Sequence, residues 1–252
     1  MKLHIFNPEH DIALAANQER FTAPHAGRRL RTDLGFIPAF WASEGDMVLV
    51  DDVEAAIEAR RHLSKFGKDV VFVTYADLKA FAFEDVESFR VDPWGWDRTI
   101  KEQLLRANSN LQPFMLSDDT LAAIREMSSR RFAAEHLLPL LREAGEEKTV
   151  GEARYCTTME EVKLTMAQNG KSVLKSPWSS SGRGVRYVET AAPDAHLEGW
   201  AANVVKRQGG IMVEPLYNKV YDFGLEFFSN ADGTIEFKGI SLFATRGGAY
   251  VG

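Results

Sequence analysis

Residues 47–73 constrain the fold more than any other stretch. A short apolar run, Met47-Val48-Leu49-Val50, is followed by Asp51 and Asp52 in helix-capping positions. Val53, Ala56, Ile57, Leu63 and Phe66 then recur at helical spacing, with Gly67 as the expected C′ stop. A second apolar run, Val70-Val71-Phe72-Val73, comes next. Two apolar strands joined by one amphipathic helix make a βαβ crossover, the unit from which parallel sheets are built. Residues 3–6, closed by the turn at Asn7-Pro8, supply a further strand. The N-terminal part is therefore expected to be α/β.

Asp92-Pro93-Trp94-Gly95-Trp96-Asp97 interrupts this pattern before a helix beginning near Thr99. The Trp-containing run reads as packing between domains, or as part of a substrate wall. The chain turns polar at 108–113, and two domains are expected, 1–115 and 116–252. One helical pattern starts at the Ser117/Asp118 cap. Another carries Ala134, Leu137, Leu138 and Leu141 up to Gly145, with Pro139 predicting a kink or an earlier end. From Arg154 the pattern reads strand, helix (Met159, Val162, Met166), strand 172–175, loop, strand 183–188, then a helix over 195–206. Strands at 211–214, 219–228 and 234–243 complete it, the last two joined across Asn230-Ala231-Asp232-Gly233.

Composition narrows the function classes. The 252 residues are 45% hydrophobic and 26% charged, enough for two ordinary cores without staples. Cys156 is the single cysteine, so neither an intramolecular disulfide nor a Cys-rich zinc site can form, which favours a reducing compartment. No apolar run approaches the roughly 18–20 residues of a membrane span, and the N-terminus turns polar too soon for a signal peptide. A cytoplasmic location without a membrane partner is expected. The net charge of −6 argues against non-specific nucleic-acid binding by the whole chain. A homodimer is left open.

The most informative chemistry lies in Lys175-Ser176-Pro177-Trp178-Ser179-Ser180-Ser181-Gly182-Arg183-Gly184. A strand delivers a lysine at its end, and a serine- and glycine-rich loop follows. Small residues let backbone N–H groups wrap phosphate oxygens, hydroxyls add donors, and lysine adds a compact positive charge. The alternative is a flexible hairpin loop. There is no P-loop, and Gly182-Arg183-Gly184 lacks the third glycine of a dinucleotide fingerprint. Asp222-Phe223-Gly224 matches the kinase magnesium motif only by coincidence, because a kinase places its glycine loop before the lysine. Downstream, Ile211-Met212-Val213-Glu214-Pro215-Leu216 precedes a strand whose alternation sets Tyr221, Phe223, Leu225 and Phe227 on one face and Asp222 and Glu226 on the other. That strand is expected to be half buried, its acids facing a sugar, a cation or only solvent.

In order and spacing, these pieces resemble the ATP-grasp superfamily over about residues 117–252. The resemblance implies an N-terminal Rossmann-like (pre-ATP-grasp) domain followed by an ATP-grasp α+β unit. It implies that Lys175 is the second phosphate lysine and that Ser179, Ser180, Ser181, Gly182, Arg183 and Gly184 are the flexible loop. Glu214 and Leu216 would form the adenine hinge, and Asp222 would meet the ribose. The family's first lysine falls in Ser128-Ser129-Arg130-Arg131-Phe132, so Arg130 would take its role, as a planar fork instead of a point charge. The implied cofactors are ATP and Mg2+, and the implied activity is activation of a small-molecule carboxylate as an acylphosphate for attack by an amine or similar nucleophile. The family's late Asp and Glu-x-Asn magnesium set does not occur after Glu236. The magnesium ligands are therefore expected beyond residue 252, the ATP-grasp unit is read as truncated, and the 252 residues alone are expected to be inactive or weakly active. No residue is assigned a catalytic role. The competing readings are a non-enzymatic nucleotide-binding or scaffold module and, more distantly, an α/β dehydrogenase.

After the first strand, Asn7, Glu9, His10 and Asp11 form a polar cluster, with Arg20, His25, Arg28, Arg29 and Arg31 beyond it. Loops at strand C-terminal ends are where open α/β sheets bind ligands. Asn7, Glu9, His10, Asp11 and Arg28 are the candidates for holding an acidic or amino-acid-like substrate, arginine clamping its carboxylate. Helix capping and solvated charge are the alternatives. No metal site is assigned, and no Gly-x-Ser-x-Gly elbow supports a serine hydrolase.

Overall fold

A short apolar strand, β1 (Lys2–Ile5), lies at the middle of the first sheet. The computed structural model describes residues 1–62, 67–82, 88–145, 148, 150–179, 182–230, 232–246 and 249–250. The chain divides into two compact units, Met1–Ser128 and Ser129–Gly252. Helix α1 (His10–Ala16) and α2 (His25–Leu34) follow β1, and a 3-10 turn over Ile37–Phe40 leads to β2 (Met47–Leu49). Then come α3 (Val53–His62), β3 (Val71–Val73), α4 (Tyr75–Ala80), β4 (Arg90–Pro93), α5 (Arg98–Ala107) and α6 (Asp118–Met127).

The four strands pair in the order β3-β2-β1-β4, all parallel. The expected βαβ crossover is β2-α3-β3. Leu63 and Phe66, assigned to its helix, lie outside the described residues, and Gly67 does not take the left-handed conformation of a C′ stop. Both faces of the sheet are covered. Leu3, Ile5, Met47, Leu49 and Val73 pack with Leu78, Ile100, Leu104 and Leu111. Val48, Val50 and Phe72 pack with Phe36, Ala39 and Ala56. Because the chain runs outward through β2 and β3 and then returns to the other side of β1, the sheet has a topological switch point between β1 and β4.

His4 is a polar residue on the second of those faces. It is 3% exposed, and its Nε2 lies 3.1 Å from Asp46 Oδ2. Its Nδ1 lies 3.2 Å from Asp92 Oδ2, near enough for an ion pair but without hydrogen-bond geometry. Burial by itself lowers the His4 pKa, but the carboxylates of Asp92 and Asp46 outweigh it and hold the imidazole above its ordinary value. Burial would raise Asp46, yet the Lys2 N–H, His4 and the Ser43 N–H hold it below the usual range. The His4 ring depresses Asp92, with Lys2 assisting.

The second unit begins with α7 (Arg130–Phe132), a π-helical segment (Ala133–Leu137) and α8 (Leu138–Glu143). Pro139 occupies the first turn of α8, where its missing N–H is harmless, so the irregularity expected there takes the form of a π segment before it. Next come β5 (Arg154–Cys156), α9 (Met159–Asn169), β6 (Ser172–Lys175), β7 (Val185–Val188), α10 (Ala195–Gln208) and β8 (Ile211–Pro215). Thr158 and Glu161 close a reciprocal capping box on α9. The antiparallel sheet runs β5-β8-β6-β7. One face, through Cys156, Leu174, Val188, Ile211 and Val213, packs on α9 and α10.

β9 (Asp222–Ser229) and β10 (Ile235–Phe243) form a separate antiparallel hairpin, and β11 (Thr245–Arg246) pairs with β12 (Ala249–Tyr250). The hairpin register shifts between Phe237 and Gly239, where Gly239 takes φ +148°, a value L side chains rarely adopt. The strand expected from 219 starts at Asp222 and is not half buried. Phe223, Leu225 and Phe227 are all more than half exposed, because β9 pairs only with β10 and no helix covers it among the described residues. No helix among the described residues is long and apolar enough to cross a membrane.

Candidate nucleotide and substrate sites

β6 ends in Lys175, and the neighbouring strand β8 carries Glu214. In the antiparallel register Val173 faces Glu214 and Lys175 faces Met212. Lys175 and Glu214 are therefore diagonal neighbours on one sheet face, opposite the face that Leu174 and Val213 bury against the helices. Lys175 Nζ donates to Glu214 Oε2 at 2.5 Å, and both side chains are partly exposed. Leu216 follows, its N–H donating to the Lys171 carbonyl at 3.0 Å.

The serine loop is tied at its base. Ser176 N–H donates to the Gly184 carbonyl at 2.8 Å, and Val185 N–H to the Gly182 carbonyl at 3.2 Å. Trp178 is buried, and its N–H donates to Gln208 Oε1 at 3.0 Å. A Cβ on Gly184 would lie 2.2 Å from Ser179 Oγ and 3.0 Å from Ser176 Oγ, so only glycine leaves room for these two hydroxyls. Arg130 holds the loop from outside. Its Nη1 donates to the Ser176 carbonyl at 2.6 Å and to Ser179 Oγ at 2.9 Å, while Nη2 donates to the Ser179 carbonyl at 3.0 Å. Arg183 is exposed, and Ser180 and Ser181 lie outside the described residues.

This constellation suits a polyanion. Lysine supplies charge, Ser179 supplies a hydroxyl, and Gly184 leaves room for it. Glu214 can accept hydrogen bonds from an exocyclic amine. Asp222 is not joined to this group by any hydrogen bond or ion pair among the described residues. It accepts from Lys219 Nζ at 2.7 Å and from Thr245 Oγ1 at 2.5 Å, contacts that hold its carboxyl below the usual range. Among the described residues no three His, Cys, Asp or Glu side chains converge on a metal position. No residue is given a magnesium role.

In the first unit, the polar cluster gathers at the switch point. Asn7 Nδ2 donates to the Gly95 carbonyl at 2.8 Å and Gly95 N–H to Asn7 Oδ1 at 3.2 Å, bridging the loops after β1 and β4. His10 Nδ1 lies 3.1 Å from Asp97 Oδ2, while Asp97 Oδ1 caps α5 through the Ile100 N–H. A Cβ on Gly95 would lie 2.2 Å from the His10 ring, so glycine is required where that ring lies. Glu9 is buried and accepts from Arg31 Nη1 at 2.7 Å. Burial pushes its carboxyl up, against the pull of Arg31. Glu9 Oε2 and Arg31 Nε have no hydrogen-bond partner among the described residues. Asp11 sits in the first turn of α1. Arg28 Nη1 donates to the Ala23 carbonyl at 2.6 Å.

Similarity to known proteins comes from structure alone. No protein-family model and no curated protein matches the chain. N5-carboxyaminoimidazole synthetase from Staphylococcus aureus, complexed with ADP, superposes with a TM-score of 0.50 at 12% identity, over 99% of this chain and 56% of that one. The chain has an ATP-grasp fold. N5-carboxyaminoimidazole ribonucleotide synthetase from Thermus thermophilus gives 0.49 at 15% identity, over 99% and 56%. An ATP-grasp RimK domain protein from Sphaerobacter thermophilus gives 0.41 at 20%, over 83% and 76%. The chain thus spans little more than half the length of the two synthetases. The ATP-grasp likeness extends over both units.

Three residues at these sites escape the sequence reading of individual roles. Ser176 lies inside the loop run singled out for phosphate binding but is given no role of its own there. Asp97 is read only as the end of the Trp-containing run, whereas it caps α5 and its second oxygen takes His10. Arg31 is one of four arginines in the 20–31 region, and helical phase alone does not show which reaches Glu9.

Proposed function

We propose that the chain carries the nucleotide-binding part of an ATP-dependent carboxylate–amine ligase. The observation that carries this is the partly exposed Lys175–Glu214 pair on the face of β6 and β8 away from α9 and α10, beside a serine loop floored by Gly184. The fold and the ADP complex of the S. aureus synthetase support it. In this reading Lys175, Ser179 and the 180–184 loop hold phosphates, with Arg130 fixing the loop and able to turn toward them. Glu214 and Leu216 hold the adenine, and Asp222 the ribose. Functionally, the second domain starts at the Ser117-capped helix, giving 1–115 and 116–252. Magnesium belongs to the proposal through the family resemblance.

In the first step a substrate carboxylate oxygen attacks the γ-phosphorus of ATP, and the bond to the bridging oxygen breaks to release ADP. The lone pair of an amine then attacks the acyl carbon of the acylphosphate. Inorganic phosphate leaves, and the amine proton passes to solvent. The carboxylate would sit at the β1/β4 switch point against Asn7, Glu9, His10 and Asp11, with Arg31 closer to that group than Arg28. The 179–184 loop would shield the reacting group from water.

The test is ADP release from ATP–magnesium with a panel of carboxylates and hydroxylamine, which traps an acylphosphate as a hydroxamate. Hydroxamate formation in the full-length protein supports the ligase. Saturable ATP binding with no hydroxamate from any carboxylate would favour the non-enzymatic nucleotide-binding module. The isolated 252 residues are expected to bind ATP with little or no turnover.

A further inference from the structure

The sheet of the second unit has a cleft on its helix-covered side, away from Lys175 and Glu214. It has a volume of about 300 Å3 and lies between the end of α9, β5, β8 and the helical segment 134–142. Arg142, Glu152, Arg154, Gln168, Asn169 and Pro215 are among its lining residues.

Two buried polar atoms at this place have no hydrogen-bond partner among the described residues: Asn169 Nδ2, in the cleft wall, and Ser172 Oγ. Ser172 is fully buried and pairs in register with Pro215, on the strand face it shares with Leu174. An unmade buried hydrogen bond costs about 1–3 kcal/mol, so the Asn169 amide in the cleft wall calls for an acceptor there, with Ser172 on the strand beside the lining residue Pro215. Arg142 is oriented by donating to the Gly151 carbonyl. The π-helical segment Ala133–Leu137 contributes Ala134 to the wall, and such segments frequently mark functional sites.

We propose that this cleft binds a small carboxylate of amino-acid size. Arg142 and Arg154 would take the carboxylate oxygens, and Asn169 Nδ2 would donate to the ligand. Glu152 would balance one of the two positive charges, so a single carboxylate fits better than a polyphosphate. The cleft and the Glu214 face lie on opposite sides of β8, which makes the two sites separable by mutation.

Isothermal titration of the 252-residue chain with glutamate, glycine, acetate and inorganic phosphate tests this. Saturable binding of at least one carboxylate is expected, weakened about tenfold or more by Arg154→Gln and by Asn169→Leu, and unchanged by Lys175→Ala. Arg154 is exposed on a short strand, so its variant should fold, and circular dichroism checks both. No saturable binding of any carboxylate probe would overturn the proposal. So would phosphate binding alone, binding untouched by both cleft variants, or binding lost with Lys175→Ala.

Discussion

In the first unit both faces of the parallel sheet are occupied, Leu3 and Met47 packing on one side and Val48 and Phe72 on the other. Its polar groups therefore collect beyond the strand ends, where Asn7, His10, Gly95 and Asp97 meet at the switch point. In the second unit helices bury one face of an antiparallel sheet, and the strands themselves carry Lys175 and Glu214 on the other. Each architecture thus limits where chemistry can be placed. Parallel strands buried on both faces deliver it at their ends, whereas a sheet buried on one face can deliver it along the strand.

The largest effect should come from His4, a polar side chain inside the first sheet's two-sided packing that is paired with two carboxylates. His4→Leu leaves Asp46 buried without its imidazole and should cost about 3 kcal/mol in urea unfolding. A loss within error of zero would mean that this sheet tolerates a lone buried charge. Gly184→Ala acts in the second unit, on the loop between β6 and β7. Its Cβ displaces Ser179 Oγ, so nucleotide affinity should drop about tenfold with little change in melting temperature. If stability falls as much as affinity, the loop belongs to the core and not to the site.

The His4 cluster also gives the two units different pH responses. The folded pKa of His4 is raised, so its contribution is complete below about pH 6.5 and is lost as pH rises through the folded value. Asp46 and Asp92 are depressed, so theirs is present above about pH 4 and lost as pH falls through their folded values. Thermal melts from pH 4 to 9 should show stability of the first unit declining on the alkaline side, a decline that His4→Gln removes. An unchanged slope in that variant would assign the pH dependence elsewhere. The smallest effect is expected in the β9–β10 hairpin. Leu242 is 81% exposed, and Leu242→Thr should change unfolding free energy by less than about 0.5 kcal/mol.

Much of this architecture is legible because local signals agree with the tertiary outcome. The Asp51/Asp52 and Ser117 starts, the strand at 172–175 and the hairpin across 230–233 all follow from capping, apolar runs and turn residues. The exposure of Phe223, Leu225 and Phe227 does not, because alternation shows which residues share a face and not whether anything packs on it. The π segment before Pro139 is hidden for a related reason: a proline in a helical pattern announces an irregularity but not which local hydrogen-bonding pattern takes it up. At the candidate sites, residue type and order point to Lys175, Glu214 and the loop, but the lysine–glutamate pairing depends on strand register. That Arg31, and not Arg28, reaches Glu9 depends on helix rotation.

ATP binding at β6 and β8, through Lys175 and Glu214, is decided by isothermal titration of ATP into the wild-type chain, Lys175→Ala and Glu214→Gln. The expected result is saturable one-to-one binding that weakens about tenfold or more in each variant. ATP binding with the same affinity in all three proteins, or no binding to the wild type, would contradict it.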